Sequence, residues 1–279
     1  MTARVDALWL YPIKGCRGLR VPVAKLAQTG LEVDGIGDRE WVVVDNRGEF
    51  LSQRELPQMA QIETRLTGVS LRLKAPGMLQ LDVPFESEGE VLPVHIWNDK
   101  VAAVTQGEIA DAWFSQFLGQ RCRLLRFDPD AKRISNHKYT GALTAPYKFA
   151  DAFAVLVCST ASLADLNARL AAKGHSPIAI ERFRANIVLD GVEAFEEDYV
   201  DYMIIGDAKL QVVKPCVRCT VPNVDPATGD AGFEPGDTLA HYRNDARAGG
   251  ITFGVNAVVE SGAGAQLSAG DALEVSLRF

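Results

Sequence analysis

The chain has 279 residues, 47% of them hydrophobic and 23% charged, a balance that fits a folded domain or two with a real core and excludes a disordered chain. A net charge of −7 argues against nucleic acid or an anionic membrane as the main partner, while leaving room for a locally basic site. The opening MTARVDALWLYPIKGCRG lacks a basic region followed by a long apolar run, and WVVV and AFAVLV fall far short of the ~20 residues that span a bilayer, so a soluble, cytoplasmic protein with no membrane partner is expected.

The first ~85 residues predict short strands joined by tight turns. ARVDALWLYP alternates, REWVVVD is β-branched and apolar, DNRG at Asp45 to Gly48 is a hairpin turn, and EFLSQR returns from it. SLRLKAPGMLQLDVP adds two short strands around Ala75, Pro76 and Gly77. Such spacing suggests a small barrel or a strongly curved sheet. GEIADAWFSQFLGQ then predicts an amphipathic helix with Ile109, Trp113, Phe114 and Phe117 on its apolar face and a stop at Gly119. RCRLLRFDP returns to strand, and Asp128 to Lys148 is a linker or long functional loop.

AFAVLVCS predicts a buried strand leading into the helix TASLADLNARLAAKG, with Leu163, Leu166 and Leu170 on one face and Gly174 at its end. The strands RANIVLDG, AKLQVVKP, ITFGVNAVVE and DALEVSLRF follow, with a short helix around GDTLAHYRN. The expected class is mainly β with a few helices (α+β), divided into an N-terminal barrel-like domain over 1–118 and a second β-barrel domain over 119–279.

Five cysteines, Cys16, Cys122, Cys158, Cys216 and Cys219, are too few and odd in number for a disulfide framework. Cys122 and Cys158 read as core residues. The informative pair lies in KPCVRCTVPNVDPATGD, Lys214 to Asp230. A structural zinc site wants four ligands, and the four histidines are scattered singly. A thioredoxin-like motif would open a helix, which Pro222, Pro226 and Gly229 prevent. An iron–sulfur cluster wants a run of four cysteines. Two readings stay open: one thiolate serves as ligand to a metal carried by a larger cofactor, with Lys214 and Arg218 stabilising it, or both cysteines are simply packed.

KPCVRCTVPNVDPATGD, with SLADLNARL, FRANIVLDG and IIGDAKLQVVKPCVRC in order, resembles the MOSC family, domains related to the C-terminal part of molybdenum cofactor sulfurase. LYPIKGCRGLRV and GIGDREWVVVDNRGEFLSQRELPQMA resemble the β-barrel domain that precedes MOSC in one branch. That branch includes the mitochondrial amidoxime-reducing component and bacterial counterparts, which reduce N-hydroxylated compounds.

The resemblance spans essentially the whole chain. It implies that Cys219 ligates molybdenum and is the catalytic cysteine, with Cys216 a packed neighbour. It implies a cradle for the phosphate-bearing pterin of the molybdenum cofactor, made of Lys14, Gly15, Arg39, Arg184 and Asn186, with Arg218 near the cofactor. Asp151 aligns with an acid that either accepts N–H bonds from the pterin or caps a loop, and Asn256 stands where the mitochondrial relatives carry a tyrosine near the metal. Asp225 and Thr228 read as a turn. The activity implied is reduction of amidoximes, hydroxylamines or N-hydroxylated bases, with electrons from a separate ferredoxin- or flavin-type protein. The competing implication is a non-catalytic cofactor-binding or sulfur-carrying protein, with persulfide on Cys219.

Overall fold

The first strand, Arg4–Leu10, does not pair with the strands that follow it closely in sequence except for Leu19–Val21; its other edge lies antiparallel to Ile187–Asp190, far along the chain. The computed structural model describes residues 3–86 and 88–278. Among them the protein is mainly β, with four α-helices. The largest sheet has nine strands, ordered Leu19–Val21, Arg4–Leu10, Ile187–Asp190, Val155–Ser159, Gly250–Ser261, Ala208–Val217, Val200–Ile205 and Leu273–Leu277, with Asn244–Asp245 also on Gly250–Ser261. Its one parallel pair, Val155–Ser159 with Ile187–Asp190, needs a crossover, and helix Thr160–Ala172 supplies it.

A second sheet runs Val91–Ile96, Asp99–Thr105, Cys122–Phe127 and Trp41–Asp45. A third joins Gln266–Ser268 to Val23–Ala27, Gly30–Val33 and Ile36–Gly37, and a fourth holds Glu63–Leu66, Ser70–Lys74 and Leu81–Pro84. Strand pairing therefore crosses residue 118 in both directions: Arg4–Leu10 and Val23–Ala27 pair with late strands, while Cys122–Phe127 pairs with Trp41–Asp45. No described helix is long and apolar enough to cross a membrane.

Helix Glu108–Leu118 ends at Gly119 in the left-handed conformation, as its sequence predicts, but its buried face is shifted. Ala110, Trp113, Phe114 and Leu118 are buried with Phe117 packed beside them, whereas Ile109 is 77% exposed. The i, i+3, i+4, i+7, i+8 rule centres the stripe on Ala110 and puts Ile109 one position off it. The predicted hairpin turn forms as expected, with Asp45 Oδ1 accepting from Arg47 and Glu49 N–H. The hairpin Val91–Ile96/Asp99–Thr105 had no counterpart in the sequence reading.

Helix Thr160–Ala172 starts on Ser159, whose Oγ accepts from Ser162 N–H, and ends before Gly174 at φ +80°. Beneath that start Glu197 is 1% exposed, accepting from Ser162 Oγ at 2.7 Å and Ser159 Oγ at 3.0 Å. Burial pushes its carboxyl above the ordinary 4.5, against the downward pull of the two serines. The fold thus holds this proton more tightly than the unfolded chain does. The associated stability is complete below pH 4.5 and is lost as pH rises through the folded value. A Glu197→Gln variant cannot titrate there. Its unfolding free energy, measured by urea melts from pH 4 to 7, should gain on wild type as pH rises. Parallel curves would show that Glu197 does not titrate differently in the two states.

Candidate functional site

After Leu10 the chain turns inward, and Lys14 N–H donates to Trp41 O at 2.8 Å, tying the turn to the second sheet. Lys14 is 8% exposed, and its Nζ donates to Phe149 O at 2.9 Å and Asp151 Oδ1 at 2.5 Å. Burial lowers its pKa, with Asp151 opposing that shift. Asp151 keeps two-thirds of its side-chain surface open towards the cleft. Loss of bulk water pushes its carboxyl up, but Lys14, Trp97 Nε1 and Arg39 outweigh this and hold it well below the usual carboxylate range. Both donors, Lys14 and Trp97, sit on Oδ1, leaving Oδ2 of this cavity-lining carboxylate as a further acceptor. Gly15 follows at φ +86°, and a Cβ there would lie 2.8 Å from Met59 Cε.

Arg39 and Arg184 both adopt left-handed backbone conformations, φ +48° and +58°, uncommon for such residues. Their guanidinium groups stand 4.5 Å and 4.4 Å from the centre of the Tyr11 ring. Arg39 pairs with buried Asp38 and donates to Arg184 O at 3.0 Å and Asn186 Oδ1 at 3.2 Å. The Asn186 oxygen also accepts from Leu156 N–H, and Nδ2 donates to Trp9 O, so this buried amide fixes Arg39 against the strands. Arg184 Nη1 donates to Cys16 O at 2.6 Å, while Nη2 is buried with no partner among the described residues. Burial, then the charge of Arg39, pull the Arg184 pKa down to about 10. An anion bound near the two guanidinium groups would offset their mutual repulsion.

Strand Ala208–Val217 carries Lys214 and Cys216 to the same place. The chain then leaves the sheet, and Arg218 reaches back, Nη1 donating to Cys216 Sγ at 3.0 Å and Nη2 to Phe183 O at 2.8 Å. Arg218 Nε is a second buried donor with no partner among the described residues. Cys219 is exposed, in contrast to the buried Cys16, Cys122 and Cys158. Asn256 sits on Gly250–Ser261 between Leu156 and Lys214 of the flanking strands. The loop beyond is built as a turn: Asp225 Oδ1 accepts from Ala227 N–H, and Oδ2 takes Arg182 Nη2 at 2.7 Å.

These residues meet in one cavity of ≈ 250 Å³, whose lining includes Lys14, Gly15, Arg39, Asp151, Arg184 and Asn186 together with Arg218, Cys219 and Asn256. Every site residue expected from the sequence is present in it. The lining also holds Phe50, Ser52, Gln53, Arg54 and Phe153, to which the sequence assigned no role although four of them stand in EFLSQR. Six cations, Lys14, Arg39, Arg54, Arg184, Lys214 and Arg218, face one carboxylate, Asp151, in a protein of net charge −7. That concentration of positive charge suits a polyanionic ligand. The single exposed thiol in the wall adds a soft metal donor. Among the described residues no group of three or more His, Cys, Asp or Glu side chains is placed to hold a metal ion.

The family model for the MOSC N-terminal beta barrel domain matches residues 2–121, and that for the MOSC domain matches residues 144–274. Over 245 residues the chain is 35% identical to mitochondrial amidoxime reducing component 2 of Bos taurus, covering 86% of this chain and 72% of that protein. The human protein of that name is 34% identical over the same shares of each. Molybdenum cofactor sulfurase of Danio rerio is 30% identical over 264 residues, covering 89% of this chain but 31% of that protein. With both domains present in order and this identity over most of its length, the chain belongs to the MOSC family, in the branch where the N-terminal MOSC β-barrel domain precedes the MOSC domain.

Proposed function

We propose that the protein is a molybdenum-cofactor-dependent reductase of N-hydroxylated compounds: amidoximes, hydroxylamines or N-hydroxylated bases. The observation that carries this reading is the convergence of an exposed thiol, Cys219, with six cations on one cavity. The relatives named amidoxime reducing component support the substrate class. Lys14, Arg39 and Arg184 would hold the phosphate of the cofactor, with Gly15 allowing close backbone approach and Asn186 steadying Arg39. Arg218 lies beside the pair of cysteines and holds Cys216 in place, leaving Cys219 as metal donor. Asp151 Oδ2 would accept from the amino edge of the pterin, its ionised state secured by Lys14.

Bound there, the cofactor supplies two-electron removal of oxygen from nitrogen, in which N–OH, two electrons and two protons give N–H and water. The electrons would come from a separate ferredoxin- or flavin-type protein. The chain's own contribution is to bind, to exclude bulk water and to fix the metal donor.

The test is the molybdenum content of anaerobically purified protein from a cofactor-producing host, beside Cys219→Ala. About one metal per chain in wild type, with a drop of at least tenfold in the variant and loss of benzamidoxime reduction under a chemical reductant, is the expected result. Persulfide on Cys219 with no molybdenum in wild type would replace this reading with that of a sulfur carrier.

A further inference from the structure

Against the cavity-lining Phe50, Arg54 and Asp151 stands a side chain that the cradle does not need. In the hairpin Val91–Ile96/Asp99–Thr105, Ile96 faces Asp99 and leaves Trp97 and Asn98 to reverse the chain. Trp97 has φ +57°, while Asn98 is not among the positive-φ residues. A two-residue hairpin loop with positive φ at its first position calls for glycine, and a bulky aromatic there is an outlier. Such strain persists only where the surroundings over-determine it, and it clusters at functional sites.

Here the hairpin tip is held from two sides. The Trp97 indole N–H donates to Asp151 Oδ1 at 3.0 Å, the Arg54 guanidinium lies 4.6 Å from its ring centre, and Phe50 packs edge-on at 5.1 Å. Two residues on, Asp99 is gripped by Arg133, 5% exposed, which also donates to the carbonyls of Lys148 and Ala150. The segment carrying Asp151 and the hairpin tip are thus one rigid unit. Core packing does not account for the tryptophan, since it is 51% exposed. Its three partners, Phe50, Arg54 and Asp151, all line the cavity.

The geometry points to Trp97 as a specificity-determining residue, a fixed stacking platform beside the cavity-lining Phe50, Arg54 and Asp151 for planar aromatic or heteroaromatic N-hydroxylated substrates. The inference rests on the reductase reading for the N-hydroxyl group and deepens it by selecting a substrate class. Half of Trp97 stays exposed beside Arg54 and Phe50, so ring surface remains for a ligand, and the rigid mount means that little ordering is needed when the ring arrives.

Two measurements test this, one of which needs no turnover. Benzamidine, planar and without an N–OH to reduce, should quench tryptophan fluorescence of wild type, and acetamidine should not; the benzamidine signal should vanish in Trp97→Phe, whose emission lacks that residue. For the loaded enzyme, the ratio of kcat/KM for benzamidoxime to that for acetamidoxime should fall about five- to tenfold in Trp97→Ala, through KM, with Trp97→Phe retaining most of it. Trp97→Gly, which relieves the left-handed strain, should lose the preference as well while melting no earlier than Trp97→Ala, so that loss of selectivity is separated from loss of fold. Benzamidine quenching that survives in Trp97→Phe, or a ratio unchanged within twofold in Trp97→Ala, would overturn the platform. A wild type that holds no molybdenum and reduces neither amidoxime sinks the reductase reading instead, and the fluorescence result then decides the platform alone.

Discussion

On the proposed reading, exchange of Lys14 for methionine should loosen the cavity's hold on the cofactor while the chain still folds. The two side chains have similar length, so the buried channel stays filled, and what disappears is the ammonium. Its removal leaves Phe149 O without its donor and Asp151 without its principal counter-charge. The exposed position of Asp151 limits the second effect, and the first costs about 1–3 kcal/mol, a tolerable loss for a domain of this size. The ligand loses more. A charge-assisted bond to phosphate contributes about 1.5–3 kcal/mol, so cofactor affinity should fall roughly ten- to a hundredfold. Molybdenum per chain, measured after gel filtration, reads this directly. Lys14→Met protein that retains a full complement of metal would remove Lys14 from the phosphate site.

Gly15→Val should be the most damaging single exchange in the cleft, and for a reason unrelated to charge. At φ +86° a β-branched residue is strained by about 1–3 kcal/mol, and the new Cβ would meet Met59 Cε at 2.8 Å inside a packed core. Overpacking of that kind costs a further ~1–3 kcal/mol. Urea unfolding should report the total. The pair Gly15→Val/Met59→Ala separates the two causes, since trimming Met59 removes the clash and leaves the backbone strain. A double variant as unstable as the single one would show that strain dominates; a single variant as stable as wild type would show that the turn has another conformation open to it.

Arg54 apart, the residues that carry charge to the cavity were legible because each stands in a short motif that resembles the family's: Lys14 and Gly15 in YPIKG, Arg39 in GDREW, Arg184 and Asn186 in FRANIV, Arg218 and Cys219 in KPCVRC. Strands and helices were legible where periodicity was strong, as in AFAVLVCS and the helix after it. Three things were not. The hairpin over residues 91–105 turns on Trp97 and Asn98, which lack the Asn-Gly or Gly-led signature of tight turns. Arg133 lies in a polar stretch with little regular structure, and nothing local announces that it is buried and grips Asp99 and two carbonyls. The pairing of Arg4–Leu10 with Ile187–Asp190 is a contact between distant segments, where no local pattern can point. Ile109 was misplaced by one position because a short helix with apolar residues on several sides leaves the centre of its stripe ambiguous.

That distant pairing governs when in the life of the chain the cavity exists. Lys14 hangs from the end of a strand whose neighbour is Ile187–Asp190, and the opposite wall, with Cys219 and Asn256, is synthesised later still. A nascent chain on the ribosome therefore holds half of the cationic cradle with no thiol to face it. Long-range strand closure of this kind is slow and comes late in folding. On the proposed reading the cofactor can enter only after these strands have closed, and until then unpaired strand edges and a cluster of like charges stand open, which would put cofactor supply and the folding of this chain under a common timetable.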